Sequence, residues 1–210
     1  MKTEILTIMD RSGSMESIRT EVIGGYNAFL KDQREVPGEA RVTLAQFDHE
    51  YTLSYQAKDI KEAPELNMET FVPRGWTALL DAIGKTLLAQ RKRITEEKWA
   101  DKVIVCIITD GAENSSKEFK AADIKALVTA AQEWGGWTFV FQGANIDAFS
   151  VGQQYGISSQ FTSNFAATAK GTMDAYASTS HTLRSLRTPA APAPTPSWNV
   201  PTPTTLSDKA

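Results

Sequence analysis

Asp10-Arg11-Ser12-Gly13-Ser14 sets a carboxylate and two hydroxyls on alternate positions of one short segment. Such a segment curls so that its alternate side chains face one centre, and Gly13 eases the turn. Thr77, after Gly75-Trp76, and Asp110, in Thr109-Asp110-Gly111, supply the same kind of atom from distant parts of the chain. All are hard oxygen donors, the set that suits Mg²⁺ or Mn²⁺, with Ca²⁺ also compatible. No His or Cys joins the pattern to suggest Zn²⁺. Two carboxylates brought together repel, and a divalent cation between them removes that penalty. With few protein oxygens an octahedral ion keeps waters, and a partner's oxygen can replace one of them.

Those segments must be positioned by regular elements. Glu4–Met9 is a short apolar run that stops at Asp10, as a buried strand does, and Val103–Ile108 is a clearer one that stops before Thr109-Asp110. Arg41–Phe47, with Val42, Leu44 and Phe47 as inward residues, and Tyr51–Tyr55 read as a hairpin across Asp48-His49-Glu50. Trp137–Phe141 is a further strand. Helical stripes run through Ile18, Val22, Tyr26, Phe29 and Leu30, through Leu79, Ala82, Ile83, Thr86 and Leu87, and through Ile124, Leu127, Val128, Ala131 and Trp134. A short helix over Asp147–Tyr155 and a last one over Thr168–Leu186 complete the order. Strands alternating with helices predict a doubly wound α/β domain, mostly parallel, with one antiparallel edge strand and helices on both faces. Such sheets bind ligands beyond the carboxyl ends of their strands, where Asp10, Thr77 and Asp110 all fall. The domain is expected over residues 1–187. From Thr188 to Ala210 the chain carries six of its nine prolines and only two charges, which reads as an extended, flexible tail with Trp198 as its one large side chain.

The order of these segments on these elements resembles the von Willebrand factor A domain and its metal-ion-dependent adhesion site, over roughly residues 3–185. Asp10, Ser12, Ser14, Thr77 and Asp110 fill all five motif positions. The resemblance implies a Rossmann-like fold and direct ligation by Ser12 and Ser14, joined by Thr77 in the ligand-bound state, with Asp10 and Asp110 acting mostly through bound water. It further implies that the remaining coordination position accepts an Asp or Glu carboxylate from a protein partner. Bacterial or phage-encoded members are the nearer likeness. The chain departs from the common pattern at Trp76, where a small residue is usual; Trp76 either borders the site or packs down onto the following helix.

Other chemistries fit less well. Gly84-Lys85-Thr86 imitates the end of a phosphate-binding loop, but position 79 is Leu where glycine is required, and the tripeptide lies within a helix. Asp10 could serve as nucleophile of a Mg²⁺-dependent phosphoryl hydrolase, whose general acid would stand at Ser12; a hydroxyl is too weak for that. His49, in the hairpin, and His181, in the last helix, are read as solvated and away from the site edge, so no Ser-His-acid triad forms. Asp81 supports the site or is an exposed helix residue. Glu113 and Asn114 rim the site or belong to a solvated loop, and Asn145 or Asp147 caps the next helix or contacts a partner. Arg91-Lys92-Arg93 reads as a solvated helix end.

Composition removes whole classes. The 210 residues are 41% hydrophobic and 22% charged, enough for a core without disulfides. With 22 basic against 25 acidic residues, the net charge of −3 argues against nucleic acid. Nothing approaches the roughly 18 apolar residues of a membrane span. Cys106 sits alone in an apolar strand, as a small core residue of a reducing compartment. The expected protein is a cytoplasmic, metal-dependent protein-binding module rather than an enzyme.

Overall fold

The structure, a computed structural model, describes residues 1–188; the expected tail beyond Thr188, with Trp198, lies outside them. One six-stranded sheet runs in the order β3-β2-β1-β4-β5-β6. Its strands are β1 (Lys2–Asp10), β2 (Glu39–Phe47), β3 (Tyr51–Asp59), β4 (Lys102–Thr109), β5 (Thr138–Ala144) and β6 (Thr162–Phe165). β2 and β3 pair antiparallel, and every other pair is parallel. The doubly wound sheet with an antiparallel edge is thus the observed one. Among the described residues no helix is long and apolar enough to cross a membrane.

Helices α1 (Arg19–Arg34) and α5 (Ala169–Arg187) cover one face; α2 (Leu79–Glu97), α3 (Ala121–Gly135) and α4 (Ala148–Gln154) cover the other. Alternation along each strand divides the core. Ile5, Met9, Val42, Leu44, Ile104, Cys106 and Val140 pack with Val22, Tyr26, Phe29 and Leu30 of α1 and with Tyr176 and Leu183 of α5. Leu6, Ile8, Phe47, Val105, Ile107, Phe139 and Phe141 pack with Leu79, Ile83, Leu87, Ile124 and Val128. β1 and β4 are apolar on both faces because helices cover both, which is why they read as continuous apolar runs. After β1 the chain moves outward to β2 and β3, then crosses back over α2 to β4, on the other side of β1. The strand order therefore reverses between β1 and β4, where doubly wound sheets open a crevice.

Three local readings change. β6, with only four residues and the sequence Thr-Ser-Asn-Phe, has no apolar run to announce it; it forms by pairing with Phe141–Ala144 of β5. α2 continues ten residues past its apolar stripe, to Glu97. Its Arg93 is not solvated: it pairs with Glu97 and with Glu4, whose side chain β1 buries. A carboxylate taken from water there needs that guanidinium.

Candidate metal centre

Asp10 ends β1 and Thr109 ends β4, and the register Met9↔Ile108 brings the two strand ends side by side. Asp10 is fully buried and Asp110 nearly so. Thr109 Oγ1 donates to Asp10 Oδ2 at 2.6 Å, and the Ser12 N–H donates to Asp10 Oδ1, also at 2.6 Å. Ser14 Oγ donates to Asp110 Oδ1 at 2.6 Å and lies 3.1 Å from Ser12 Oγ. Thr77 closes the group from the start of α2: a β-carbon placed on Gly111 would sit 3.6 Å from Thr77 Oγ1 and 3.7 Å from Ser14 Oγ. All five residues singled out in the sequence therefore converge. Asp10, Ser12 and Thr77 are buried beneath, and Ser14 opens the group to solvent.

The electrostatics fit a cation. Burial pushes the Asp10 carboxyl up to about 6, against the bonds from Thr109 and Ser12, and the neighbouring Asp110 adds to the rise. Asp110 is also raised by burial, with Ser14 opposing. Two carboxylates held in this way carry unrelieved charge at neutral pH, and a divalent ion among hydroxyl and carboxylate oxygens relieves it.

The surrounding loops are tied into place by residues whose sequence signals allowed other roles. Asn114 Oδ1 accepts from the Thr77 N–H at 2.9 Å, and Thr77 O accepts from the N–H groups of Asn114 and Ser115. Glu113 takes the free Leu80 N–H in the first turn of α2 and those of Ser115 and Ser116. The stretch after β4 is thus an anchored strap. Asp81 is not an exposed helix residue: it accepts from the N–H groups of Lys117, Glu118 and Phe119, each at 2.9 Å. Its burial alone would raise the carboxyl, but those three donors hold it below its ordinary value. Asp147 caps α4 through Ser150, whereas Asn145 donates to the carbonyl of Asp110 at 3.0 Å.

A second acidic group stands beside the first. Ligand atoms of Asp48, His49 and Glu50 lie within 4.8 Å of one another. Asp48 is fully buried, and its Oδ2 already accepts from Arg11 Nε and Arg74 Nε at 2.9 Å each; Arg74 also pairs with Glu50. Two guanidiniums neutralise this cluster, so its chemistry is that of a brace joining the loops after β1, after β2 and before α2. His49 is solvated as expected but not remote. It follows β2 at the site edge, and its Nδ1 would lie 2.1 Å from a β-carbon on Gly75, whose φ of +66° also calls for glycine. Next to Gly75, Trp76 does not pack onto α2; at 68% exposure it stands free beside buried Thr77. His181 is exposed on α5. Gly84-Lys85-Thr86 lies inside α2, with Thr86 Oγ1 bonded to Ala82 O and Lys85 paired with Glu118. Cys106 is buried, its thiol pushed up to about 12.

No family model and no curated protein matches this sequence. Solved structures do. The von Willebrand factor domain of the type V pili tip protein Mfa5 from Porphyromonas gingivalis aligns over 91% of this chain and 98% of its own, with 12% identity and a TM-score of 0.60. Proximal thread matrix protein 1 of the mussel byssus aligns over 87% of this chain and 46% of its own, with 14% identity and a TM-score of 0.58. The manganese-loaded TRAP protein of Plasmodium vivax aligns over 82% and 71%, with 15% identity and a TM-score of 0.56. The fold is that of a von Willebrand factor A domain. The chain spans less than half of the mussel protein but nearly the whole Mfa5 domain. At these identities the likeness is one of the von Willebrand factor A fold alone.

Proposed function

We propose that this protein is a metal-dependent protein-binding module, with Asp10, Ser12, Ser14, Thr77 and Asp110 holding Mg²⁺ or Mn²⁺. The observation that carries the reading is the meeting of two buried carboxylates and three hydroxyls at the strand-order reversal, with Ser14 an exposed residue. Ser12, Ser14 and Thr77 would present hydroxyl oxygens to the ion, and Asp10 and Asp110 would balance its charge. A bound divalent cation supplies a positive centre for an Asp or Glu carboxylate of the partner, a contact that is strong where water is excluded. Exposed Trp76 adds apolar contact at the rim. Phosphoryl hydrolysis by Asp10 has less support, since both carboxylate oxygens already accept hydrogen bonds and Ser12 offers no general acid.

Titration calorimetry with Mn²⁺ and Mg²⁺ tests the metal step. Asp10→Asn and Asp110→Asn should each weaken binding by about tenfold or more, with circular dichroism unchanged. Capture of a partner should need Mg²⁺ and be lost in EDTA and in Asp110→Ala. Metal affinity indifferent to both carboxylate variants would overturn the proposal.

A further inference from the structure

A cleft of about 260 Å³ opens on the α1 face of the sheet, between strands β2 and β3 and the chain that joins β3 to α2. Leu44, Gln46, Ser54 and Tyr55 line it from the strands, Pro64 and Leu66 from the connection. α1 fixes that connection in place. Asn27 exchanges two hydrogen bonds with the Leu66 backbone, at 2.9 and 2.8 Å, and Arg34 donates to the carbonyls of Ile60 and Ala63. The cleft is therefore built into the fold, as ligand pockets usually are. It contains none of the five proposed metal ligands, although Arg11 borders it.

Its lining holds an unmet acceptor. Gln46 is buried, at 3% exposure, and its Oε1 has no hydrogen-bond partner among the described residues. The Nε2 of the same amide donates to Ser54 Oγ at 2.8 Å and to the Thr70 carbonyl at 3.0 Å, and both of those residues line the cleft as well. The two ends are not interchangeable. Turned over, the amide would set its oxygen against the Thr70 carbonyl, two acceptors with no proton between them. The network thus fixes the nitrogen and leaves the oxygen over. A buried acceptor without a donor is a standing cost that the N–H or O–H of a ligand relieves.

The rest of the lining selects a neutral, mostly apolar body. Leu44, Tyr55, Pro64 and Leu66 supply carbon surface. The two charged residues of the cleft are already paired: Arg11 donates to Asp48 and to Thr52, each at 2.9 Å, and Glu65 accepts from Arg34 at 3.1 Å. An ionic ligand would have to compete with those partners. The volume equals roughly nine waters at about 30 Å³ each, the bulk of one aromatic ring or two fused ones. Tyr55 and Pro64 are themselves rings, against which a flat ring packs well.

We propose that this cleft binds a small neutral aromatic molecule bearing one hydrogen-bond donor, an indole or a phenol, with the donor on Gln46 Oε1.

The test is an NMR titration of the full chain in EDTA, so that the metal centre plays no part. The probes come in pairs that differ in the donor alone: indole with N-methylindole, and phenol with anisole. Saturable shifts are expected at the Gln46 side-chain amide and at the backbone amides of Ser54, Leu66 and Thr70. The donor ring should bind about tenfold or more tighter than its methylated partner. The pair that saturates at lower concentration names the ring. Gln46→Met keeps the bulk and removes the oxygen, so it should make the two members of a pair bind alike. Because Gln46 also holds Ser54 and Thr70, the comparison within each pair on the unaltered protein stays decisive even if this variant unfolds. Shifts that remain linear with all four probes, saturation only at other residues, or equal affinity for a ring and its methylated partner would overturn the proposal. So would a donor preference that survives in folded Gln46→Met.

Discussion

Asp10 is the residue at which burial works most directly against ionisation. Its carboxyl is raised from 3.8 to about 6 by burial. Without a cation, the folded protein therefore holds a proton that the unfolded chain has released between about pH 4 and 6. Stability falls as pH rises through that window, and the cost is fully present above it. By the usual conversion it is at most about 3 kcal/mol. Urea unfolding in EDTA should show Asp10→Asn losing this fall between pH 4 and 7; an unchanged pH profile would mean that Asp10 ionises freely. Asp10, Ser12 and Ser14 of the proposed metal site were legible because their types and spacing are local. Arg11 within the same motif was not assigned a role, since its partner Asp48 lies 37 positions away.

At the scale of elements, the strap from Gly111 to Phe119 sets how well α2 presents Thr77. Asp81 receives three backbone N–H groups from this strap, and Asn114 and Glu113 reach back to Thr77 and Leu80. Asp81→Ala should cost about 2–4 kcal/mol, because three donors lose a charged acceptor at once. Hydrogen exchange should rise first at Lys117, Glu118 and Phe119, ahead of α2 itself. Equal protection of those amides in both proteins would show that water replaces the carboxylate without loss. Sequence reasoning placed Asp81, Glu113 and Asn114 near the site but left their roles open. Periodicity reports which residues face a core, not which side chains cap backbone groups on a different segment. β6 escaped for a related reason: a short polar edge strand is made by its neighbour, not by its own pattern.

Across the whole molecule, stability rests on two cores that share β1 and β4. Cys106 lies at the centre of β4 with its thiol raised to about 12, so almost no thiolate exists at pH 8 and no reagent reaches it in the folded state. Labelling with a thiol reagent should therefore follow global unfolding, with the same urea midpoint as circular dichroism. Fast labelling of the native protein would show that β4 opens locally, against its burial in a sheet covered by helices on both faces.

The alternation of apolar strands and striped helices was enough to determine a doubly wound sheet with an antiparallel edge, because each pattern has its own period and each strand must be covered. It was also enough to pick out oxygen donors ending successive elements. Only the tertiary structure decided that Asp10 and Asp110 end neighbouring strands, since strand order is set by packing across the sheet. It alone settled that Trp76 faces solvent and that Asp48 is occupied by two guanidiniums. Each depends on contacts between segments far apart in the chain, and no local pattern records them.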